Sequence, residues 1–450
     1  MRRNFVRDTA VTSASQILTL FAALAISVIV ARVLGPSGKG EYTLAMLLAT
    51  TLVYNCCFGL VAATAWQAGR KAYPTRLVLG HALLYALVLG ALTTVVGLAI
   101  TGWLAGTLVP GVSVMLLLLG LLTAVPQFLL GFLANALLGL QRVIHYNLCH
   151  LVRSFSLLVL VVALFLLLGR GAHSALLAEL ASFCIAVAVA LFLAYRRVGG
   201  ISWGLDLSYV KGSLRYGLPL YLGSVLVFWH RRAAMFLVAG FLDPAMLGLY
   251  TVSLGMAQQV SSLSEGAATV LFSRTSAQGS PAESQAFVPL VLRTVLLMVI
   301  SASAVVALAS PWLIPWLYSE TFAGSVTPLR ILLPGAVALA GWNVLDSQFK
   351  GLGKTSWSGL TNAAGVASNL GLSILWIPSY GLAGAAYAWS VSWLLAFLVA
   401  FGAYSRQSHS TWAVLLPRWS DFAMYARLVS RPLTALSRVF RQFPRGQAPF

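Results

Sequence analysis

His230, Arg231 and Arg232 stand side by side in the middle of an apolar run that extends from 216 to 241. A guanidinium at bilayer centre costs about 2.5–3.5 kcal/mol on insertion scales, so it must face protein, water or a ligand. Arginine grips phosphate oxygens through two parallel N–H donors, and one chemistry open to this trio is therefore a phosphate or pyrophosphate site. The other is an ion pair with a carboxylate on a neighbouring segment. Adjacent helical residues diverge by about 100°, so at most two of the three can point into one cavity.

Only three acids are predicted at membrane depth: Glu179, Glu265 and Asp346. Each suits an ion pair with those arginines, or exchange of a proton or sodium ion that drives movement of a solute. Glu265, between Ser264 and Gly266, is the better ion-coupling position; Asp346 lies near the end of its run and is also suited to plain solvation. Arg153, Arg293 and Arg330 lie near the ends of other runs, where long side chains snorkel to the interface; Arg153 is a further candidate for the anion site. His81 and His150 read as helix-interface residues. Asn135, Gln127, Asn343 and Gln348 either line a polar path or tie helix to helix. The cysteines (Cys56, Cys57, Cys149 and Cys184) fall in apolar runs without metal-ligand spacing and read as core. No DxD or HExxH sequence occurs, and GLGK at 351–354 lacks the spacing of a P-loop. The expectation is a protein that is not an enzyme, with no resident cofactor or metal.

The elements that must position these residues follow from composition. Of 450 residues, 59% are hydrophobic and only 9% charged, and the mean hydropathy is +0.88. A soluble domain carries about 25% charged residues, so the chain is read as an integral membrane protein. Its net charge of +19 would suit nucleic acid only if the basic residues shared one soluble face; they scatter among apolar runs instead. A membrane-spanning helix needs about 20 apolar residues. Twelve such runs are predicted, near 10–31, 43–66, 77–100, 112–138, 146–168, 175–195, 216–241, 246–272, 287–310, 325–348, 357–377 and 381–404. The first is read as a retained span. With both termini cytoplasmic, 21 basic residues fall in inside segments and 3 (Arg32, Lys39 and Arg170) outside, as the positive-inside rule requires. From 405 onward the chain alternates aromatic and aliphatic residues with arginines, the pattern of a basic amphipathic helix on an anionic leaflet.

The chain also repeats itself. ARVLGPSGKGEYT (31–43) and AGFLDPAMLGLYT (239–251) share six of 13 positions at a constant offset of 208, including Pro36/Pro244, Gly40/Gly248 and Tyr42/Tyr250. The prolines are expected to end or start helices and the glycines to permit a tight return. The tyrosines are expected at the outer interface. Two six-helix lobes follow, 1–200 and 201–404, with 405–450 as a basic cytoplasmic tail. An even number of spans gives both copies the same orientation, the parallel-repeat plan of many transporters, with a central site and alternating access.

ARVLGPSGKGEY resembles the signature of the polysaccharide-biosynthesis (Wzx-type) flippases of the MOP exporter superfamily. YGLPLYLGSV (216–225), PWLYSETFAGSVTPLRILLPG (315–335), GLGKTSW and IPSYGLAGAAYAWSVSWLL are similar to further segments of that family in order. The resemblance implies an all-α, MATE-like membrane fold of about twelve helices. It implies a bacterial inner-membrane flippase that moves polyprenyl-pyrophosphate-linked oligosaccharides outward for surface polysaccharide. Arg231, Arg232, His230 and Arg153 would then be candidates for the pyrophosphate. Membrane lipids, the lipid-linked glycan and polysaccharide polymerase or assembly proteins would be its partners, with no nucleic acid. A cation-coupled small-molecule exporter of the MATE class is the alternative, although relatives of that class commonly place carboxylates in the first span and this chain has none there. A non-transporting organiser of a polysaccharide synthase complex is a third reading.

Overall fold

The computed structural model describes residues 2–107, 112–277 and 281–408. Apart from residues 405–408, the amphipathic tail expected from the sequence lies outside the described residues. Every regular element among them is helical: α1 (Arg2–Asn55), α2 (Leu60–Arg70), α3 (Thr75–Thr107), α4 (Val114–Leu122), α5 (Ala124–Gly139), α6 (Val143–Leu167), α7 (Ala172–Val198), α8 (Leu207–Phe241), α9 (Pro244–Ala277), α10 (Pro281–Tyr318), a short 3₁₀ turn (Glu320–Ser325), α11 (Val326–Gly351) and α12 (Thr355–Ser408). Nine helical stretches among the described residues are long and apolar enough to cross a membrane.

The predicted runs map onto these helices with informative differences. α1 and α12 have 54 residues each, about 80 Å of helix and more than twice the hydrocarbon thickness. Each is in fact two helices, joined at Gly35 (φ 67°, ψ −177°) and at Gly381 (φ 57°, ψ −132°), a backbone region essentially restricted to glycine. α9 is 34 residues long but falls outside the nine, because its serines, glutamines and Glu265 lower its hydropathy. The run expected at 43–66 is not continuous. α1 stops at Asn55, Phe58 and Gly59 take positive φ (46° and 72°), and α2 restarts at Leu60. The break lets the backbone of Gly59 press against that of Gly217 on α8, where an added Cβ on Gly217 would lie 2.7 Å from the Gly59 carbonyl oxygen.

Two compact units divide the chain. Among the described residues, the first holds those up to 257 with 307–332 and 362–392; the second holds those within 258–306, 333–361 and 393–408. In the first unit, leucines of α3 and α5 interlock with alanines of α7: Leu79, Leu83, Leu133 and Leu137 meet Ala186, Ala190 and Ala194. Small residues let transmembrane helices approach closely where water supplies no hydrophobic drive. Larger side chains such as Val95, Leu166 and Trp312 are exposed, as expected of surfaces that meet lipid. Cys184 is exposed too, contrary to its core assignment, while Cys149 is buried. In the second unit, Trp342 packs 5.4 Å from Trp393 and donates to Thr361 at 3.1 Å.

The repeated motif crosses itself within the first unit. Pro36 opens the second helix of α1 and Pro244 is the first residue of α9, where a missing N–H costs nothing. The glycines do not serve the tight return that the sequence suggests, because both lie inside helices. A Cβ on Gly40 would collide with the Pro244 carbonyl, and one on Gly248 with the Pro36 carbonyl. Each would also stand 3.2 Å from the other glycine's backbone nitrogen. The two copies of the motif thus pack backbone to backbone, reciprocally.

Candidate functional site

α8 carries the arginine pair and packs along the second helix of α1 and along α2 in a polar and aromatic seam. Trp66 stacks on Tyr216 at 4.4 Å and Tyr54 on Phe228 at 4.3 Å. Gln67 donates to Ser213 at 3.4 Å, and the indole N–H of Trp229 donates to Asn55 Oδ1 at 3.3 Å. Arg232 lies further along this seam. Its Nη1 is 3.4 Å from Thr50 Oγ1 and its guanidinium sits 5.1 Å from the centre of the Phe228 ring, so both partners are neutral. Arg231 stands ten residues before the end of α8 at Phe241. At about 1.5 Å per residue this is about 15 Å from that end, half the hydrocarbon thickness. Both arginines are partly buried. His230 points elsewhere: it is fully buried, 3.1 Å from Ser392 Oγ, with Asn369 donating to its carbonyl at 3.1 Å. The trio therefore splits as helical geometry requires, with the arginines at the seam and the histidine against α12.

Arg153 does not snorkel. It lies ten residues into α6 and its Nη2 meets Glu179 Oε2 on α7 at 2.6 Å. The guanidinium stands 4.5 Å from the Phe183 ring centre. The other oxygen of Glu179 accepts the Tyr42 hydroxyl at 2.6 Å, and Lys39 lies 5.3 Å from the Tyr42 ring centre. Lys39 and Tyr42, expected at the outer surface, are 7% and 9% exposed. Tyr42 is drawn inward because a buried carboxylate needs donors; Tyr250, its repeat partner, is fully buried and its hydroxyl has no hydrogen-bond partner among the described residues. Sequence reasoning missed Tyr42 as a donor, although its place in the repeated motif marked it as special. It also missed Thr50, which no pattern singles out. Arg330 is held by the Ala307 carbonyl and Ser310 Oγ at 3.1 and 3.2 Å, and Arg293 is 8% exposed.

The other two acids meet in the second unit. Glu265 on α9 and Asp346 on α11 line one cavity of about 410 Å³ with Asn343, Ser347, Thr269 and Lys350. Lys350 Nζ lies 2.6 Å from Asp346 Oδ2, and Asn343 donates to Ser264 at 2.9 Å. The three sequence-predicted acids thus part company: Glu179 serves Arg153 in one unit, while Glu265 and Asp346 share a cavity in the other.

These helices, with their twin breaks and crossed repeats, form a multi-pass membrane fold that is similar to those of solved MOP-superfamily transporters. The lipid II flippase MurJ in an inward closed conformation aligns with 98% of this chain and 94% of its own at a TM-score of 0.73 and 15% identity. An inward-facing multidrug-resistance MATE transporter aligns with 87% of this chain and 94% of its own (TM-score 0.66, 18% identity). A MOP-superfamily transporter from Pyrococcus furiosus aligns with 91% and 97% (TM-score 0.62, 17% identity). The chain belongs to the polysaccharide biosynthesis protein family, whose profile matches residues 16–327. No curated protein matches it.

Proposed function

We propose that this protein flips polyprenyl-pyrophosphate-linked oligosaccharides from the inner to the outer leaflet of a bacterial inner membrane for surface polysaccharide synthesis. Six-helix lobes at 1–200 and 201–404 alternate access, and both termini face the cytoplasm. The observation that carries the reading is the Arg231–Arg232 pair at mid-depth on α8, with Arg232 held only loosely by neutral groups, Thr50 and Phe228. A guanidinium at that depth with a neutral, weakly bonded resting partner is ready to exchange it for an anion. The ordinary alternative is an ion pair with Glu179, Glu265 or Asp346; it is disfavoured because Glu179 is held by Arg153 and Tyr42, Asp346 is held by Lys350, and Glu265 has no cation within salt-bridge distance among the described residues. In this mechanism the guanidinium groups replace the water around the pyrophosphate, the sugars follow through a polar path, and the polyprenyl tail stays in lipid.

Arg231→Ala combined with Arg232→Ala is expected to abolish surface polysaccharide while the protein persists at wild-type levels on an immunoblot. The double lysine variant is expected to restore part of it, because lysine keeps the charge and loses the two-pronged geometry. Normal polysaccharide with new drug sensitivity would transfer the assignment to a cation-coupled small-molecule exporter. Normal behaviour in both assays would leave a non-transporting organiser.

A further inference from the structure

We infer that the cavity between α9 and α11 in the second unit is a subsite for a neutral hexopyranose unit of the transported glycan; this rests on the flippase reading above. Its volume, about 410 Å³, lies within the range of small-ligand pockets. Its lining alternates donors and acceptors. Lys350 and Ser347 donate, Glu265, Asp346 and Thr269 accept (the Thr269 hydroxyl itself donates to the Glu265 carbonyl at 2.8 Å), and Asn343 does both. Phe272, 44% exposed, offers an apolar ring at the same wall. A sugar ring presents hydroxyls around its edge and C–H bonds on its faces, and this mixture matches it.

The charges argue against the simpler occupant, a metal or alkali cation. Asp346 is 6% exposed and already engages an ammonium, Lys350 Nζ, at 2.6 Å. A second cation beside that ammonium would meet repulsion, and no group of three metal-binding side chains occurs among the described residues. Asp346 Oδ1 is buried with no hydrogen-bond partner among the described residues. Such orphaned buried acceptors are rare in proteins, and a ligand hydroxyl entering the cavity would supply the missing donor. Glu265, exposed and free of any cation within salt-bridge distance among the described residues, is the second acceptor.

The test uses the full chain in lipid nanodiscs with Ser347→Cys as a reporter. Modification of the introduced thiol by N-ethylmaleimide is followed by mass spectrometry of the peptide that carries it. Thr269→Cys is a second reporter should the first fail to insert. Glucose, galactose, mannose and N-acetylglucosamine are the probes, with sodium chloride and inorganic pyrophosphate as controls. At least one sugar is expected to slow labelling, and Glu265→Gln is expected to weaken that protection about tenfold, the effect of one charge-assisted hydrogen bond. Neither sodium nor pyrophosphate is expected to protect. Protection by sodium alone would make the cavity a cation site, and no protection by any sugar would remove the subsite; either overturns the inference. Binding of sugar-free undecaprenyl pyrophosphate keeps the two proposals apart. If that lipid binds in an Arg231/Arg232-dependent manner while no sugar protects, the subsite fails and the flippase reading stands.

Discussion

Gly248→Val is expected to reduce surface polysaccharide to the level of a deletion strain, and Gly40→Val to do the same. At both positions the new side chain would meet a backbone carbonyl of the other repeat, Pro36 for Gly248 and Pro244 for Gly40. A carbonyl cannot rotate out of the way as a flexible side chain can, so the two helices must separate over their whole crossing. Overpacking of this kind costs about 1–3 kcal/mol even where neighbours can adjust. The same crossing lies beside Tyr42, Lys39 and Glu179, so separating the helices also disturbs a buried charge network. Complementation of a deletion strain reads the effect, with an immunoblot of membranes to show that the variant is inserted. Each alanine variant is expected to fall between wild type and valine. Full complementation by both valine variants would show that the reciprocal packing is dispensable.

Glu179→Gln is expected to lower thermal stability in detergent by the equivalent of about 3 kcal/mol. Removing one partner of a buried ion pair typically costs about 3–5 kcal/mol, and the lower end applies because the Arg153 side chain is 27% exposed. The glutamine keeps an acceptor for Tyr42 but leaves the guanidinium of Arg153 without its counter-charge. Adding Arg153→Met removes the stranded charge, so the double variant is expected to recover most of the loss. Losses that simply add would show that the two residues are energetically independent despite their 2.6 Å contact. Glu179→Gln with unchanged stability would instead show that the ion pair adds nothing to the stability of the fold.

Pro36 and Pro244 were legible in the sequence as helix boundaries because proline lacks an N–H, and they do open helices. Gly40 and Gly248 were legible as a repeated pair, but their purpose was not: a backbone crossing between residues 208 positions apart leaves no local periodicity. Glu179 stood out as an acid in an apolar run, yet nothing local named Arg153, 26 residues away on the preceding helix, as its partner. Tyr42 misled because an amphipathic ring at the end of a span usually marks the interface; the buried carboxylate overrode that preference. His230, grouped with the arginines by adjacency, is turned to Ser392 by the 100° step of the helix. The break at Phe58–Gly59 was hidden by the apolar residues on either side, which hydropathy reads as one run.

In the proposed function, a pyrophosphate-linked glycan passes Arg231 and Arg232 on its way across the membrane. The most direct measurement reconstitutes the purified protein into proteoliposomes with a fluorescently tagged undecaprenyl-pyrophosphate oligosaccharide and follows its exposure to a membrane-impermeant quencher. The wild-type protein is expected to make the inner-leaflet fraction accessible. The double alanine variant is expected to slow this about a hundredfold, the loss of two charge-assisted contacts. Exposure no faster than in protein-free vesicles, or an undiminished rate in the double variant, would contradict the proposed function.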